Sequence, residues 1–406
     1  MQTFVDPNLL QRLRVGPLAP YLDAYLKQIE DQGFSPVSAP IQLYAIARFS
    51  KWLQARQLGL HQVDEDMVAR FLKRDPGIVH GGECAALLRL LAMLRAVGVT
   101  DVQTPQPRNS RQRFLDEYQR HLLHGRGLAE ATTLYYIQFA EQFLSDRFGQ
   151  GDLNFAELRA TDVTRFIQDR ARLGKERNKL LVTAVRSFLR YLRYRGEIDV
   201  DLAGCVPAVA MWSLSTVPKF LPPGTVQRIL AHCERKSSQG KRNYAVLLLL
   251  ARLGLRACEA VALNLNDIDW ETGRISIRGK GGRCAQLPLP IDVGEALASY
   301  VRSGRPSCSC RRVFVRRRAP LRGFAKSSSL SSIVKRALIR AGVHSARKGA
   351  HVLRHTLATD LLRQGASLDD IGELLRHQSP NTTAIYAKVD LTALRTLALP
   401  RPGGAQ

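Results

Sequence analysis

The chain has 406 residues, 45% apolar and 23% charged, and its 60 Lys and Arg outnumber 35 Asp and Glu to give a formal charge of +25. That length exceeds one ordinary hydrophobic core, so two or three domains are expected, and the apolar fraction excludes an intrinsically disordered chain. Of these, 28 basic and 22 acidic residues fall in the first 200 positions; the remaining 32 and 13 put +19 of the charge beyond residue 200, a field that calls for a polyanion, most commonly nucleic acid.

The opening "MQTFVDPNLLQRLRVGPLAP" has no basic region followed by an apolar run, so no secretory signal is expected. Apolar residues at three- and four-residue spacing then predict helices in "PYLDAYLKQIEDQG", "APIQLYAIARFSKWLQARQLG", "SRQRFLDEYQRHLLHGRG" and "AEATTLYYIQFAEQFLSDRFG". These segments look duplicated. "YLDAYLKQIEDQGF" from Tyr21 pairs with "FLDEYQRHLLHGRGL" from Phe114, and "DMVARFL" (Asp66 to Leu72) with "TDVTRFI" (Thr161 to Ile167). The leucine helix "ECAALLRLLAMLRAVG" parallels "ERNKLLVTAVRSFLRYLRYRG". Residues 1–104 are therefore expected to form an N-terminal helical domain, a divergent copy of the four-helix unit over residues 105–200, joined through the Pro/Asn/Ser-rich "TDVQTPQPRNS". The second copy ends in Arg186, Arg190, Arg193 and Arg195 on one side of an amphipathic helix, whereas the first has only Arg89 and Arg95, so the second is expected to lie on phosphates.

A linker over residues 201–215 precedes a change of pattern. Helices "GTVQRILAHCERKS" and "NYAVLLLLARLG" come first; the latter, interrupted by Arg252, falls short of the roughly 18 apolar residues of a membrane span. "DIDWETGRISIRGKGGRCAQLPLP" reads as two alternating strands around the turn Gly279-Lys280-Gly281-Gly282. Helices resume in "VGEALASYVRSG", "SSLSSIVKRALIRAG", "AHVLRHTLATDLLRQG", "SLDDIGELLRHQ" and "NTTAIYAKVD". Residues 216–406 are thus expected as one domain, and the whole chain as mainly α with a small antiparallel β-sheet. Seven scattered cysteines, an odd number, point to the reduced thiols of a cytoplasm; Cys308 and Cys310 form a C-S-C with no second pair nearby.

Six side chains of this last domain stand out. Arg256 follows Gly254 in "LGLRACEAVALNL", with Glu259 three residues on, and Lys280 projects from the hairpin turn. "HVLRH" puts His351 and Arg354 on one helical face, His377 closes "LLRH", and Tyr386 follows nine residues later. Each has a plain structural reading: Arg256 as a surface cation paired with Glu259, Lys280 as a solvated turn residue, Tyr386 as a half-buried aromatic. His351 and His355, at i and i+4, have zinc-ligand spacing, but the general-base Glu of H-E-x-x-H is missing and Arg354 would oppose the cation, so no metal is expected. Together, two Arg, a Lys and two His suit a different chemistry, in which they surround a pentavalent phosphorane with fixed charge and donors. The planar fork of Arg holds two non-bridging oxygens at once, and a tyrosine hydroxyl near such cations is expected to have its phenolate favoured. No acidic cluster of metal-binding character accompanies these residues, so neither metal nor other cofactor is expected.

The order Arg, Lys in a hairpin, H-x-x-R, His, Tyr, in "LGLRACE", "RGKGGR", "HVLRHTLAT" and "LLRHQSPNTTAIYAKVD", resembles the tyrosine recombinase (phage integrase) family over about residues 216–395. The unit at 105–200 looks like that family's core-binding domain, a SAM-like four-helix DNA-binding module. The resemblance implies a site-specific recombinase in which Tyr386 attacks a DNA phosphodiester, forms a 3′-phosphotyrosine and releases a 5′-hydroxyl. Arg256 and Arg354 would clamp the scissile phosphate, Lys280 would protonate the leaving 5′-oxygen, His351 would transfer a proton at the nucleophile, and His377 would bond a phosphate oxygen. Glu259 would orient Arg256 or cap the helix. Rejoining would need no ATP, because the phosphotyrosine retains the energy of the ester.

The implied partners are double-stranded DNA and further recombinase subunits, identical or different, in a tetramer; the implied setting is a mobile element's integration or transposition, in a prokaryotic cytoplasm and on its nucleoid. Two departures from the family pattern stand out. Arg376 replaces the small Gly common before the second His and is expected to add a phosphate contact or alter packing. The extra copy within 1–104 is expected to extend the DNA footprint or contact a neighbouring subunit. "LTALRTLALP" after Asp390 would dock on a neighbour or pack as a C-terminal helix. A monomeric type IB topoisomerase-like enzyme shares this chemistry, and a DNA-binding protein that no longer cuts shares the fold; the double helical module speaks against the first and the filled catalytic positions against the second.

Overall fold

The computed structural model describes residues 4–74, 82–100, 109–149, 151–170, 172, 174–208, 217–279 and 283–389. The chain divides into two compact units, Met1–Val102 with Thr216–Gln406, and Gln103–Ser215. The first unit opens with helices α1 (Pro7–Leu13), α2 (Leu22–Asp31), α3 (Ala39–Ala55), α4 (Glu65–Lys73) and α5 (Glu83–Ala96). Asp64 starts α4 by accepting from the Met67 amide at 2.7 Å, and Glu65 and Asp66 complement the helix dipole in its first turn. Leu43, Ile46 and Phe49 of α3 bury against Leu87, Leu90 and Leu94 of α5. Tyr25 is completely buried in this core; its hydroxyl lies 2.8 Å from Gln42 Oε1 and accepts from Arg89 Nη1 at 3.2 Å.

The second unit contains α6 (Ser110–Arg120), α7 (Glu130–Phe148), α8 (Ala160–Asp169) and α9 (Lys175–Tyr194) around Phe139, Phe143, Phe188 and Leu192. Tyr118, the residue that pairs with Tyr25 in the sequence comparison, is likewise completely buried, and its hydroxyl donates to Ser187 Oγ of α9 at 3.1 Å. Leu202, Ala203 and Val206 pack into the same core, so residues 202–206, expected as linker, are the closing segment of this unit. The basic side of α9 is partly bound within the unit: Arg186 donates to the Val206 carbonyl at 2.9 Å, Arg195 pairs with Glu117 at 2.6 Å, and Arg193 stands 3.6 Å from Asp201. Lys179 and Arg190 face outward on that helix.

In the C-terminal part of the first unit, every residue from Ala245 to Leu250 of α11 (Ser238–Arg252) is buried, as expected of a helix apolar all round. Around it pack α10 (Thr225–Ala231), α12 (Ala257–Ala262), α13 (Ile291–Ser303), α14 (Ser328–Arg340) and α15 (His351–Arg363). The strands β1 (Ile268–Asp269), β2 (Arg274–Arg278) and β3 (Cys284–Pro288) form an antiparallel sheet in that order, with Ile275 opposite Leu287 and Ile277 opposite Ala285. Ile275, Ile277 and Leu287 put its apolar face on the core. The chain ends its described course in α16 (Leu368–Leu375), α17 (Pro380–Thr383) and a 3₁₀ segment, Ala384–Val389. Within this unit the Leu321 amide donates to the Gln32 carbonyl at 2.8 Å, joining the turn after α2 to the loop between α13 and α14. No described helix is long and apolar enough to cross a membrane.

Gly254 turns the chain out of α11 at φ +56°, and a Cβ there would lie 2.6 Å from Leu375 Cδ2. Gly254→Ala is expected to destabilise the protein by about 2 kcal/mol, combining left-handed backbone with overpacking. Gly273→Ala, at φ +61° with open space around it, is expected to lose about half as much. Urea unfolding of the two variants measures the difference.

Candidate active site

Arg256, at the end of the Gly254 turn, precedes α12, and Glu259 in that helix's first turn ties it down. The Glu259 carboxylate accepts from the Arg256 amide at 2.9 Å and from its Nη1 at 2.7 Å. Glu259 thus both caps the helix and orients the guanidinium, the two roles expected of it. Helix α15 presents His351, Arg354 and His355 along one face. After α16 the chain reverses through Arg376 in the left-handed region, φ +55°, with the His377 amide bonded to the Gly372 carbonyl at 2.9 Å. The following 3₁₀ segment brings Tyr386 back against α15, where it buries with Ala358, Ile371 and Leu375.

These turns converge on a pocket of about 550 Å³, lined among others by Arg256, His351, Arg354, His355, His377 and Tyr386. Five of the six residues singled out from sequence therefore line one cavity; Lys280, and the segment after Asp390, lie outside the described residues. Lys219 and Arg347 also line it, and sequence reasoning missed both, because neither stands in a recognisable local pattern.

Arg354 is only 4% exposed and donates to the carbonyls of Gly254 and Leu375. Burial, with the charges of Arg256 and Arg376 behind it, lowers its pKa to about 10, which leaves it a cation at neutral pH. Burial acts to raise Glu259, but bonds from Arg256 and the charges of Arg376 and Arg256 win and hold it below the usual carboxylate range. Arg376 is 13% exposed at its side chain and donates to Glu259 Oε2 at 2.9 Å. It pairs with Glu259 and is not among the pocket's lining residues.

Each pocket histidine is pushed toward its neutral form. Burial, then His351, Arg354 and Arg347, lowers His355 to about 4; burial, then Arg354 and Arg256, lowers His377 to about 4. His351 opens to solvent at the pocket mouth; what desolvation it has, with the charges of Arg354, Arg256 and Arg347, also lowers it. His377 Nδ1 is held by Thr383 Oγ1 at 2.7 Å, a partner inside the polar break before Tyr386.

Tyr386 is 1% exposed, and its hydroxyl lies 2.8 Å from His355 Nδ1. Burial pushes the phenol up to about 12, against the opposing charge of Arg354. The expectation of a favoured phenolate is thus overturned for this state: counting nearby cations omitted the larger loss of hydration.

Residues 219–392 match the family model described as "Phage integrase family". Over 410 residues the chain is 46% identical to the putative integrase/recombinase y4rA of Sinorhizobium fredii, with 100% of each chain covered. It is 32% identical over 300 residues to the tyrosine recombinase XerD of Mycobacterium tuberculosis, covering 71% of this chain and 88% of that one. Among solved structures its fold is similar to that of the XerH site-specific recombinase bound to palindromic difH substrate, with a TM-score of 0.55 at 18% identity, covering 84% of this chain and 98% of that chain.

The depressed histidines make a pH prediction. Their folded pKa values lie below the ordinary 6.5, so their contribution to stability is present above pH 6.5 and is lost as pH falls through about 4. Within that window His355 and His377 should each steepen the fall by at most about 1.4 kcal/mol per pH unit. Urea unfolding at pH 7, 6 and 5 tests this, with His355→Gln and His377→Gln each flattening the slope.

Proposed function

The chain belongs to the tyrosine recombinase (phage integrase) family, and from that membership we propose that it cuts and rejoins DNA strands through a covalent 3′-phosphotyrosine, in the integration or transposition of a mobile element. The observation that carries this reading is the convergence of Arg256, His351, Arg354, His377 and Tyr386 on one pocket. A scissile phosphate in that pocket meets two guanidiniums suited to clamp its non-bridging oxygens. Arg354 is positioned for this by the backbone carbonyls it binds, and Arg256 by Glu259. His377, fixed through Nδ1, offers Nε2 to a phosphate oxygen, and His351 works at the pocket mouth. Lys280 is proposed from sequence alone as the acid for the leaving 5′-oxygen. A bound phosphate anion favours the protonated form of each neighbouring histidine, opposing the depression that burial and the arginines impose. The covalent ester keeps the energy for rejoining, so the proposed cycle runs without ATP or metal.

DNA is the proposed partner, in keeping with the +25 charge and with the structural neighbour XerH, a site-specific recombinase bound to its palindromic difH substrate, and a tetramer on two duplexes in the cytoplasm is the proposed assembly. Residues 105–200 are proposed as the core-binding domain, 216–406 as the catalytic domain, and 1–104 as a divergent copy of the core-binding unit. The matching buried tyrosines, Tyr25 and Tyr118, support the last of these.

The test is a nicked suicide duplex spanning the end of the element that carries the gene. Wild-type protein should form a covalent adduct, and Tyr386→Phe should form none while retaining DNA binding; an adduct in Tyr386→Phe would sink the assignment. Recombined rather than merely relaxed plasmid separates this reading from a topoisomerase-like one. On α9, Arg190→Ala should weaken binding evenly across sequences and lower the slope of log K against log salt by about 1, measured by fluorescence anisotropy.

A further inference from the structure

His355 has no role in the assignment above, yet it is the only hydrogen-bonding partner of the Tyr386 hydroxyl among the described residues, Nδ1 to Oη at 2.8 Å. Their ring centroids stand 5.7 Å apart. His351, to which the family resemblance gives the proton transfer at the nucleophile, sits one turn earlier on α15, its ring 6.3 Å from that of His355 and open to solvent. A phenol that is 1% exposed and already hydrogen-bonded to an imidazole passes its proton most directly to that partner.

We propose that His355 is the catalytic residue that accepts the Tyr386 proton, leaving His351 to serve the phosphate at the pocket mouth. This rests on the recombinase reading. The groups facing His355 are His351 and Arg354 of its own helix, Arg347 from the segment before it, His377 from the turn after α16, and Tyr386. None is a carboxylate, so the resting ring is neutral and its Nδ1 can hold a lone pair toward the phenol, with the ring proton on Nε2. With the ring depressed to about 4 and the phenol raised to about 12, the protein's own groups alone leave the transfer uphill. An arriving phosphate monoanion raises the imidazole, so the base strengthens only when there is a bond to break.

In the step itself the Oη–P bond forms as the phenolic proton moves to Nδ1. The bond from phosphorus to the 5′-oxygen breaks, and that oxygen takes its proton from Lys280, the proposed acid. On rejoining, the attacking 5′-hydroxyl returns its proton to Lys280 and His355 returns its own to the departing phenolate.

The test uses full-length protein and the nicked duplex, reading single-turnover adduct formation on denaturing gels and DNA binding by gel shift. His355→Ala should slow adduct formation about 100-fold or more with binding unchanged. His355→Asn keeps an acceptor for the phenol but takes no proton, and should also be slow. Placing 3,5-difluorotyrosine, a more acidic phenol, at position 386 should restore His355→Asn by about 10-fold or more and should not restore His351→Ala. Wild-type rates in both His355 variants, or rescue of His351→Ala in place of His355→Asn, would overturn the inference while leaving the recombinase reading intact. A wild-type protein that forms no adduct removes both.

Discussion

The site depends on one buried cation. Arg354 carries a charge at 4% exposure, and its fork ends on the carbonyls of Gly254 and Leu375, with no carboxylate bonded to it among the described residues. Desolvating a guanidinium costs several kcal/mol unless strong hydrogen bonds replace the lost water, and charge-assisted bonds to carbonyls are of that kind. The two carbonyls belong to the turn that delivers Arg256 and to the end of the helix that delivers His377. A single guanidinium therefore links the segments that carry Arg256 and His377, the two other groups proposed to face the phosphate. Because the partners are neutral dipoles, its positive charge is not cancelled and remains available to an anion in the pocket.

Concentrating so much positive charge before any DNA arrives creates repulsion, and the structure relieves it in two ways. Glu259 bridges Arg256 and Arg376 from behind, staying ionised because those two cations outweigh its burial. The histidines take the other route and remain neutral near pH 7, since burial and the arginines both disfavour their charged forms. The arginines fix the field and the imidazoles adjust to it. Phosphate binding at such a site is accordingly coupled to proton uptake, which is also what general acid–base chemistry on that phosphate requires.

The order of the candidate active-site residues was legible in sequence because each stands in a strong local context: a glycine turn after a buried helix, the H-x-x-R face of α15, and a polar break before Tyr386. The strand pair was legible from alternation, and the observed register of Ile275 and Ile277 follows from it. What escaped depends on distant backbone. His355 and Tyr386 are 31 residues apart, and helical phase says only that His355 shares a face with His351. Arg376 left two readings open in sequence, an added phosphate contact or altered packing, and only the fold shows its side chain bonded to Glu259 from a left-handed backbone. The phenol's raised pKa escaped because residue types report nearby charge while burial is a property of the assembled core. The segment 202–206 read as linker because prolines follow it, yet Leu202 and Val206 still find apolar cover.

Under the proposed duplication, the two helical units show how one packing plan can carry two chemistries. Their last helices are each followed, two residues on, by a glycine at φ +71°, Gly98 and Gly196, and aligning those glycines puts Arg89 opposite Ser187. In the first unit Arg89 is turned inward, bonding Gln42 at 2.7 Å and the buried Tyr25, while Arg95 forks onto Glu65. In the second unit a serine hydroxyl meets the equivalent tyrosine, and Arg126 reaches that hydroxyl from outside the helix. The tyrosine keeps a polar partner in both cores, as a buried hydroxyl must. In the last helix of the second unit Lys179 and Arg190 are exposed. Helix α5 has its arginines, Arg89 and Arg95, bound within its own fold, so any polyanion the N-terminal copy meets must be met by another face.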